Sequence, residues 1–187
     1  MNATTNAQAR ARLIDLLRER SVIRGDFVLA SGKRSTYYID ARRTTMSGEG
    51  QALIGPLGLA ALQAHDWTPR AVGGLTLGAD PVAYAIVYTA SLSGASLNAF
   101  TVRKEAKTHG TGRRIEGCFD PGDGVVIIED VITTGRSTLA AIAAVHAAGG
   151  HVHGVLAVVD REEGGRREVE AAGIPVAVLV TVSELGV

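Results

Sequence analysis

The chain has 187 residues, of which 46% are hydrophobic and 20% charged, a composition typical of one globular domain with a sizeable core. Its 19 basic and 19 acidic residues cancel, which argues against a broadly basic surface for nucleic acid or for a membrane. No apolar run is long enough to span a bilayer, and the single cysteine, Cys118, excludes an intrachain disulfide.

The N-terminal part of the chain predicts a helix followed by a β-hairpin. Leucines recur on one face of a helix over residues 7–20. Aromatic and apolar residues predict short strands over 27–29 and 37–39, joined by a turn at 31–34.

From residue 50 onward, helical and strand patterns alternate, which indicates a mostly parallel, doubly wound sheet. The predicted helices cover residues 50–64, 80–88, 137–148 and 166–172. The predicted strands cover residues 70–73, 97–102, 125–129, 152–159 and 176–181. Asp80 is the predicted N-cap of the second helix, with Pro81 at its first position, and 103–116 is a polar, basic loop. Ligands of such sheets bind beyond the carboxyl ends of the strands, where the polar turns described below fall.

The strand predicted over 125–129 ends in two adjacent acids, and a Thr/Gly/Ser loop follows them. The carboxylates suit the 2′ and 3′ hydroxyls of a ribose, while N–H groups at the start of the next helix suit its 5′-phosphate. The simpler alternative is a buried strand that ends in an ordinary turn, but adjacent buried acids are costly without partners. The predicted sugar-phosphate residues are Glu129, Asp130, Val131, Ile132, Thr133, Thr134, Gly135, Arg136 and Ser137.

This segment resembles the phosphoribosyl pyrophosphate (PRPP) binding motif of type I phosphoribosyltransferases. The resemblance implies an α/β fold in which a mostly parallel, twisted sheet is flanked by helices. It also implies a single domain over 1–187, with a small N-terminal hood formed mainly by 1–45 and a core over 46–187. Mg²⁺ is the expected cofactor, bound mainly through PRPP, and no protein ligand is assigned to it.

A basic loop over 103–110 directly follows a predicted strand and carries Arg103, Lys104, Lys107 and His109. Such charge suits a polyanion, although a run of charge is more often a solvated surface. The string resembles the catalytic loop of the orotate phosphoribosyltransferase family, in which the loop closes over the pyrophosphate and reaches into the partner subunit's site. The resemblance therefore implies that these four residues are catalytic and contact PRPP. It also implies a homodimer that shares the loop between its subunits.

Two further segments resemble the parts of that family that hold the base. Residues 27–40 resemble the hood segment that flanks the orotate ring, with Tyr37 and Tyr38 as expected contacts. Arg161 corresponds to the arginine that grips the orotate carboxylate, for which a guanidinium fork is well matched. Taken alone, the segment favours the simpler alternative of a surface arginine paired with Glu162 or Glu163. Thr133 is the remaining expected orotate contact.

Residues 74–81 resemble the family's pyrophosphate loop, where small residues allow a close approach of the backbone. The chain departs from some relatives at Ala30 and Gly78, where those relatives carry lysine. We therefore expect the pyrophosphate contact at Gly78 to be made by backbone N–H groups, with charge supplied by the basic loop.

The resemblance implies transfer of the phosphoribosyl group of PRPP to orotate, giving orotidine 5′-monophosphate and pyrophosphate in pyrimidine biosynthesis. The expected partners are these small molecules and a second copy of the chain, with no nucleic acid and no membrane. A cytoplasmic location is expected, since residues 1–12 are polar and lack the apolar centre of a signal peptide. Three alternatives stay open: a phosphoribosyltransferase for another base, a PRPP-sensing regulator that lost catalysis, and a dinucleotide-binding module. The last lacks a G-x-G-x-x-G after an early strand.

Overall fold

The structure is a computed structural model that describes residues 3–28, 34–105 and 114–187. The helices in these ranges are α1 (Ala3–Arg20), α2 (Arg42–Thr45), α3 (Gly48–Ala64), α4 (Ala79–Leu92), α5 (Arg136–Ala147), α6 (Gly165–Ala171) and α7 (Val182–Leu185). The strands are β1 (Val22–Val28), β2 (Arg34–Ile39), β3 (Ala71–Leu75), β4 (Asn98–Val102), β5 (Ile115–Gly117), β6 (Gly124–Ile132), β7 (His151–Asp160) and β8 (Val176–Thr181).

A six-stranded sheet with the order β5-β4-β3-β6-β7-β8 forms the centre of the molecule. Its strands pair in parallel except at the edge, where β5 runs antiparallel to β4. Val126 and Ile128 of β6 pack on the face covered by α3 and α4, whereas Val125 and Ile127 pack on the face covered by α5. Burial on both faces explains the continuous apolar run of this strand. The predicted doubly wound α/β sheet is confirmed.

The hairpin β1–β2 forms a separate two-stranded antiparallel sheet. Both predicted strands are confirmed and are longer than expected, while the predicted turn at 31–34 falls largely on residues 29–33, outside the described residues. Helix α1, in contrast, packs Leu13 and Leu17 into the main core beside α3 and β8. The hairpin is therefore the N-terminal element that stands apart from the central sheet, and the division at residue 45 stays a prediction.

The predicted start of α4 is wrong. Gly78, not Asp80, is the N-cap, and the helix continues to Leu92 rather than ending near residue 88. The buried carboxylate of Asp80 instead accepts hydrogen bonds from the hydroxyls of Thr76 (2.7 Å) and Thr101 (2.8 Å). Asp80 therefore ties the turn after β3 to the end of β4, a long-range contact that a local capping pattern does not indicate.

Two other predicted boundaries differ from the structure. The loop predicted over 103–116 is shortened, because β5 begins at Ile115 and pairs with β4. Strand β6 continues to Ile132 rather than ending at Glu129, because its pairing with β7 extends to the register Ile132↔Asp160. Glu129 and Asp130 therefore both lie within β6, and two further strand residues follow them. Among the described residues, no helix has the length and apolar character needed to cross a lipid bilayer.

Candidate functional site

A cavity of about 710 Å³ opens beyond the carboxyl ends of β3, β6 and β7. Its wall combines the hairpin, the turn after β3, the end of β4, the end of β6 with its loop, and the turn after β7. The lining side chains most relevant to chemistry are Tyr38, Arg42, Lys104, Glu129, Asp130, Thr133, Thr134, Arg161 and Glu163. The position agrees with the edge at which doubly wound sheets bind ligands.

Glu129 is the most buried carboxylate of the cavity, with 6% of its surface exposed. Its Oε2 atom accepts hydrogen bonds from Ser137 Oγ at 2.6 Å and Thr138 Oγ1 at 2.9 Å. Burial raises the pKa of the Glu129 carboxyl to about 7, and the neighbouring charge of Asp130 adds to this while the two hydroxyls oppose it. Thr138 fixes this carboxylate and was missed by sequence reasoning, although it directly follows the motif.

Asp130 lies beside Glu129 at the cavity wall. Burial raises the pKa of Asp130 above its usual range, opposed chiefly by the backbone N–H of Val131, which donates to Oδ1 at 2.9 Å. The cation of Arg42 also favours the charged form of Asp130, and Arg42 is itself paired with Asp40 at 2.9 Å. Sequence reasoning missed Arg42. The acid pair thus presents carboxyl oxygens that a ligand's hydroxyl groups are well suited to satisfy.

The loop between β6 and α5 is the phosphate-binding candidate. Gly135, at φ 76°, is the N-cap of α5, and it has no side chain with which to cap the first N–H groups of the helix. The N–H of Gly165 donates to the carbonyl of Thr133 at 2.9 Å. A β-carbon at Gly165 would lie 2.4 Å from that carbonyl oxygen and 2.6 Å from the nitrogen of Gly135. The start of α6 therefore supports the loop from behind, and the glycine pair 164–165 is the sequence signal that was overlooked.

The other predicted residues of the sugar-phosphate motif lie in three different places: at the cavity, in the core and on the surface. Val131, Thr133 and Thr134 line the cavity. Ile132 is buried in the core beneath α5, so its side chain supports the strand. Arg136 is exposed at the first position of α5. The Ser137 hydroxyl already donates to Glu129. The groups at the cavity that remain available for a phosphate are therefore the loop backbone and the hydroxyls of Thr133 and Thr134.

Arg161 follows β7 and is 7% exposed. Its Nη2 atom lies 2.8 Å from Oε1 of Glu163, and its Cζ lies 5.3 Å from the centroid of the Tyr37 ring. Tyr38 points to the other face of β2, where it lines the cavity and packs on Phe27 with ring centroids 5.8 Å apart. The predicted base contacts therefore fall into two groups, with Tyr38 at the cavity and Tyr37 behind Arg161.

The turn after β3 approaches β6 closely. A β-carbon at Gly78 would lie 2.4 Å from Oδ1 of Asp130, so any side chain at this position requires the Asp130 carboxylate to move. Thr76 and Leu77, joined by a cis peptide bond, also line the cavity. A lysine at position 78, as some relatives carry, would therefore clash with Asp130 as it is placed in this chain.

The basic loop is described only at its two ends. Lys104 lines the cavity, whereas Arg103 pairs with Glu116 at 3.3 Å and faces a smaller cavity of about 410 Å³ that Thr76 and Asp80 also line. Lys107 and His109 lie outside the described residues. Of the two predicted catalytic residues that the structure describes, Lys104 lines the main cavity and Arg103 does not.

The described residues contain no cluster of three or more His, Cys, Asp or Glu side chains that could hold a metal ion by themselves. The adjacent carboxyls of Glu129 and Asp130 nevertheless fit Mg²⁺, which commonly binds to one or two carboxylates while retaining phosphate and water ligands. The donor set is thus compatible with a cation that arrives with its phosphate substrate.

Comparison with known proteins completes the assignment. No protein-family model matches the sequence. The chain is 49% identical over 181 residues to an orotate phosphoribosyltransferase of Corynebacterium glutamicum. This alignment covers 97% of this chain and 96% of the relative. The crystal structure of Mycobacterium tuberculosis orotate phosphoribosyltransferase in complex with Fe(III) dicitrate has a TM-score of 0.84 and 43% identity, and the match covers 96% of this chain and 99% of that chain. The structure of the M. tuberculosis protein in complex with PRPP has a TM-score of 0.78 and 39% identity, with coverage of 96% and 92%. The chain belongs to the orotate phosphoribosyltransferase family.

Proposed function

We propose that the cavity described above carries out the reaction of this family, the transfer of the phosphoribosyl group of PRPP to orotate in pyrimidine biosynthesis. The products are orotidine 5′-monophosphate and pyrophosphate. One observation carries the proposal: the buried carboxyl of Glu129, the half-buried carboxyl of Asp130, the loop residues Thr133 and Thr134 before α5, and the buried Arg161 border one space. These groups suit ribose hydroxyls, a phosphate and a carboxylate-bearing base, in that order.

The chemistry requires alignment and charge stabilisation more than covalent help from the protein. N1 of orotate forms a bond to C1 of the ribose and gives up its proton to the departing pyrophosphate or to water. The bond from C1 to pyrophosphate breaks, and its electron pair leaves with the pyrophosphate. Positive charge builds up on the ribose and negative charge on the leaving group. The charge of orotate lies on its carboxylate, so the N1 proton still has to be removed. No side chain is assigned the role of a strong base, because the oxygens of the departing pyrophosphate can accept this proton.

The ribose phosphate is held by the end of β6 and the loop after it. Glu129 and Asp130 accept hydrogen bonds from the 2′ and 3′ hydroxyls. Backbone N–H groups of residues 131–137, with the hydroxyls of Thr133 and Thr134, hold the 5′-phosphate. The Ser137 hydroxyl joins them when its proton turns from Glu129 to the phosphate. The bond from Ser137 to Glu129 and the support from Gly165 keep this surface in place before the ligand binds.

The leaving pyrophosphate is stabilised by the basic loop, through Arg103, Lys104, Lys107 and His109. Backbone N–H groups near Gly78 contribute where some relatives use lysine. Mg²⁺, bound mainly through PRPP, supplies further positive charge to the leaving group. Closure of the loop excludes water, which protects PRPP from hydrolysis.

The base is held between the hood and the turn after β7. Arg161 binds the orotate carboxylate, while Tyr38 and Thr133 lie around the ring. Tyr37, expected as a further contact, acts through Arg161, against which its ring packs. The hood of residues 1–45 covers the core of 46–187 mainly through the hairpin, whose residues Phe27, Val28 and Tyr38 line the cavity. A cytoplasmic location is part of the proposal, supported by the single cysteine, since disulfides are rare in that compartment.

The proposal includes a homodimer in which the basic loop of one subunit serves the partner's site. Co-expression of Lys107→Ala and Asp130→Asn chains tests this sharing. Half of randomly assembled dimers are mixed, and each mixed dimer has one intact site. At a PRPP concentration that saturates the wild type but not Asp130→Asn, we therefore expect about a quarter of wild-type turnover. Activity no higher than that of the separate variants, with mixed dimers verified by two affinity tags, would show that the loop acts within its own subunit.

The function is tested by following orotate absorbance after addition of PRPP and Mg²⁺. We expect loss of absorbance only when both are present, and no product when uracil, adenine or hypoxanthine replaces orotate. Turnover of another base would assign the chain to a different phosphoribosyltransferase. PRPP binding without turnover of any base would identify a PRPP-sensing regulator instead.

A further inference from the structure

Arg161 is held by a carboxylate of the chain itself. Its Nη2 atom lies 2.8 Å from Oε1 of Glu163, and both residues line the cavity. The side chain of Arg161 is only 6% exposed, whereas that of Glu163 is 28% exposed. The cation is therefore enclosed by the protein, while its carboxylate partner remains within reach of solvent.

This ion pair leaves the guanidinium incompletely satisfied. The pair joins one nitrogen to one carboxylate oxygen, and Nε of Arg161 is buried with no hydrogen-bond partner in the described part of the chain. A guanidinium can bind a carboxylate through two parallel N–H bonds, and a buried unpaired donor costs free energy. Arg161 therefore has donor capacity beyond what Glu163 uses.

The turn between β7 and α6 aims two neighbouring glutamates in different directions. Glu162 has φ 56° and its N–H donates to Oδ1 of Asp160 at 2.8 Å. The Glu162 carboxylate accepts hydrogen bonds from the N–H and hydroxyl of Ser183, at the start of α7. Glu163 instead points to the cavity and Arg161. The turn thus contains two carboxylates of the same kind, of which one faces the base.

We propose that Glu163 is an internal competitor for the carboxylate of the base, an inference that rests on the proposed function. Glu163 neutralises Arg161 before the base binds and yields its place when a carboxylate-bearing base arrives. Two carboxylates on one guanidinium repel each other in a poorly solvated cavity, and the partial exposure of Glu163 gives it a route to solvent. A base without a carboxylate leaves the ion pair in place, so the competition weakens the binding of anionic bases and does not act on neutral ones.

The test is the KM for orotate at saturating PRPP in Glu163→Gln and in the matched control Glu162→Gln. Both substitutions remove one negative charge from the same turn. Glu163→Gln should lower the KM for orotate about 1.5- to five-fold, the range of a partly exposed ion pair, and leave the KM for PRPP unchanged. Glu162→Gln should keep the wild-type KM for orotate, because its carboxylate faces Ser183.

An unchanged or higher KM for orotate in Glu163→Gln overturns the inference, as does an equal decrease in Glu162→Gln, which would indicate a general charge effect. The wild-type assay separates this failure from that of the proposed function. If the wild type consumes orotate and Glu163→Gln gains nothing, only the competitor role is lost. If the wild type does not consume orotate, the proposed function fails and the inference fails with it.

Discussion

The two sides of the cavity differ in how firmly the fold holds them. The sugar-phosphate side, residues 129–137, extends from β6 in the middle of the sheet, where Glu129 is tied by two hydroxyls and is 6% exposed. The basic side begins at Arg103 and Lys104, which are exposed at the end of β4 beside the edge strand. Buried carboxylates keep their geometry but are costly to desolvate, whereas exposed cations keep their charge and must move to the ligand. We therefore expect the first side to govern PRPP binding and the second to govern turnover.

The largest effect is expected on the basic side. Lys107→Ala should lower kcat about 100- to 1000-fold, the range for loss of one group that stabilises charge in the transition state. Steady-state kinetics with orotate and PRPP measure this loss. Arg167→Ala, at an exposed position of α6 away from the cavity, is the control and should retain wild-type kcat. A similar kcat in both variants would remove Lys107 from the mechanism.

A smaller effect is expected on the sugar-phosphate side. Asp130→Asn should weaken PRPP binding about 10- to 100-fold, because a charged acceptor for ribose hydroxyls is lost. Equilibrium titration with PRPP and Mg²⁺ measures the dissociation constant. Asp123→Asn changes a carboxylate just before the other end of β6 and should bind PRPP like the wild type. Wild-type affinity in Asp130→Asn would contradict the ribose-hydroxyl role.

The smallest effect concerns the stability of the sugar-phosphate side. Burial raises the pKa of Glu129 from its ordinary value of 4.5 to about 7, so the folded state binds this proton more tightly than the unfolded chain does. The associated stability is fully present below about pH 4.5 and is lost as the pH rises through 7. Between pH 5 and pH 8, the free energy of unfolding should fall more in the wild type than in Glu129→Gln, by on the order of 2 kcal/mol.

Urea denaturation at several pH values measures this difference. Glu168→Gln, at an exposed position of α6, is the control and should follow the wild-type pH dependence. Equal pH dependence in the wild type and Glu129→Gln would mean that burial does not hold the proton on Glu129.

The sequence was most informative where local pattern and burial coincide. The apolar run of β6 and the acids at its end predicted both the central strand and the sugar-phosphate side. Asp80 was misassigned as an N-cap because an aspartate before a proline is a common local capping pattern. Its carboxylate instead accepts a hydrogen bond from Thr101, 21 residues away in the chain. Gly165 was missed because its role depends on how α6 packs against the loop after β6. Such contacts join segments about 30 residues apart, which periodicity and spacing do not report.

The most direct test of the difference between the two sides is one PRPP titration, performed side by side on the wild type, Lys107→Ala and Asp130→Asn. The account predicts that Lys107→Ala binds PRPP within about three-fold of the wild type despite its low turnover, while Asp130→Asn binds about 10- to 100-fold more weakly. Equal losses of PRPP affinity in the two variants would contradict the separation of donor binding from stabilisation of the leaving group.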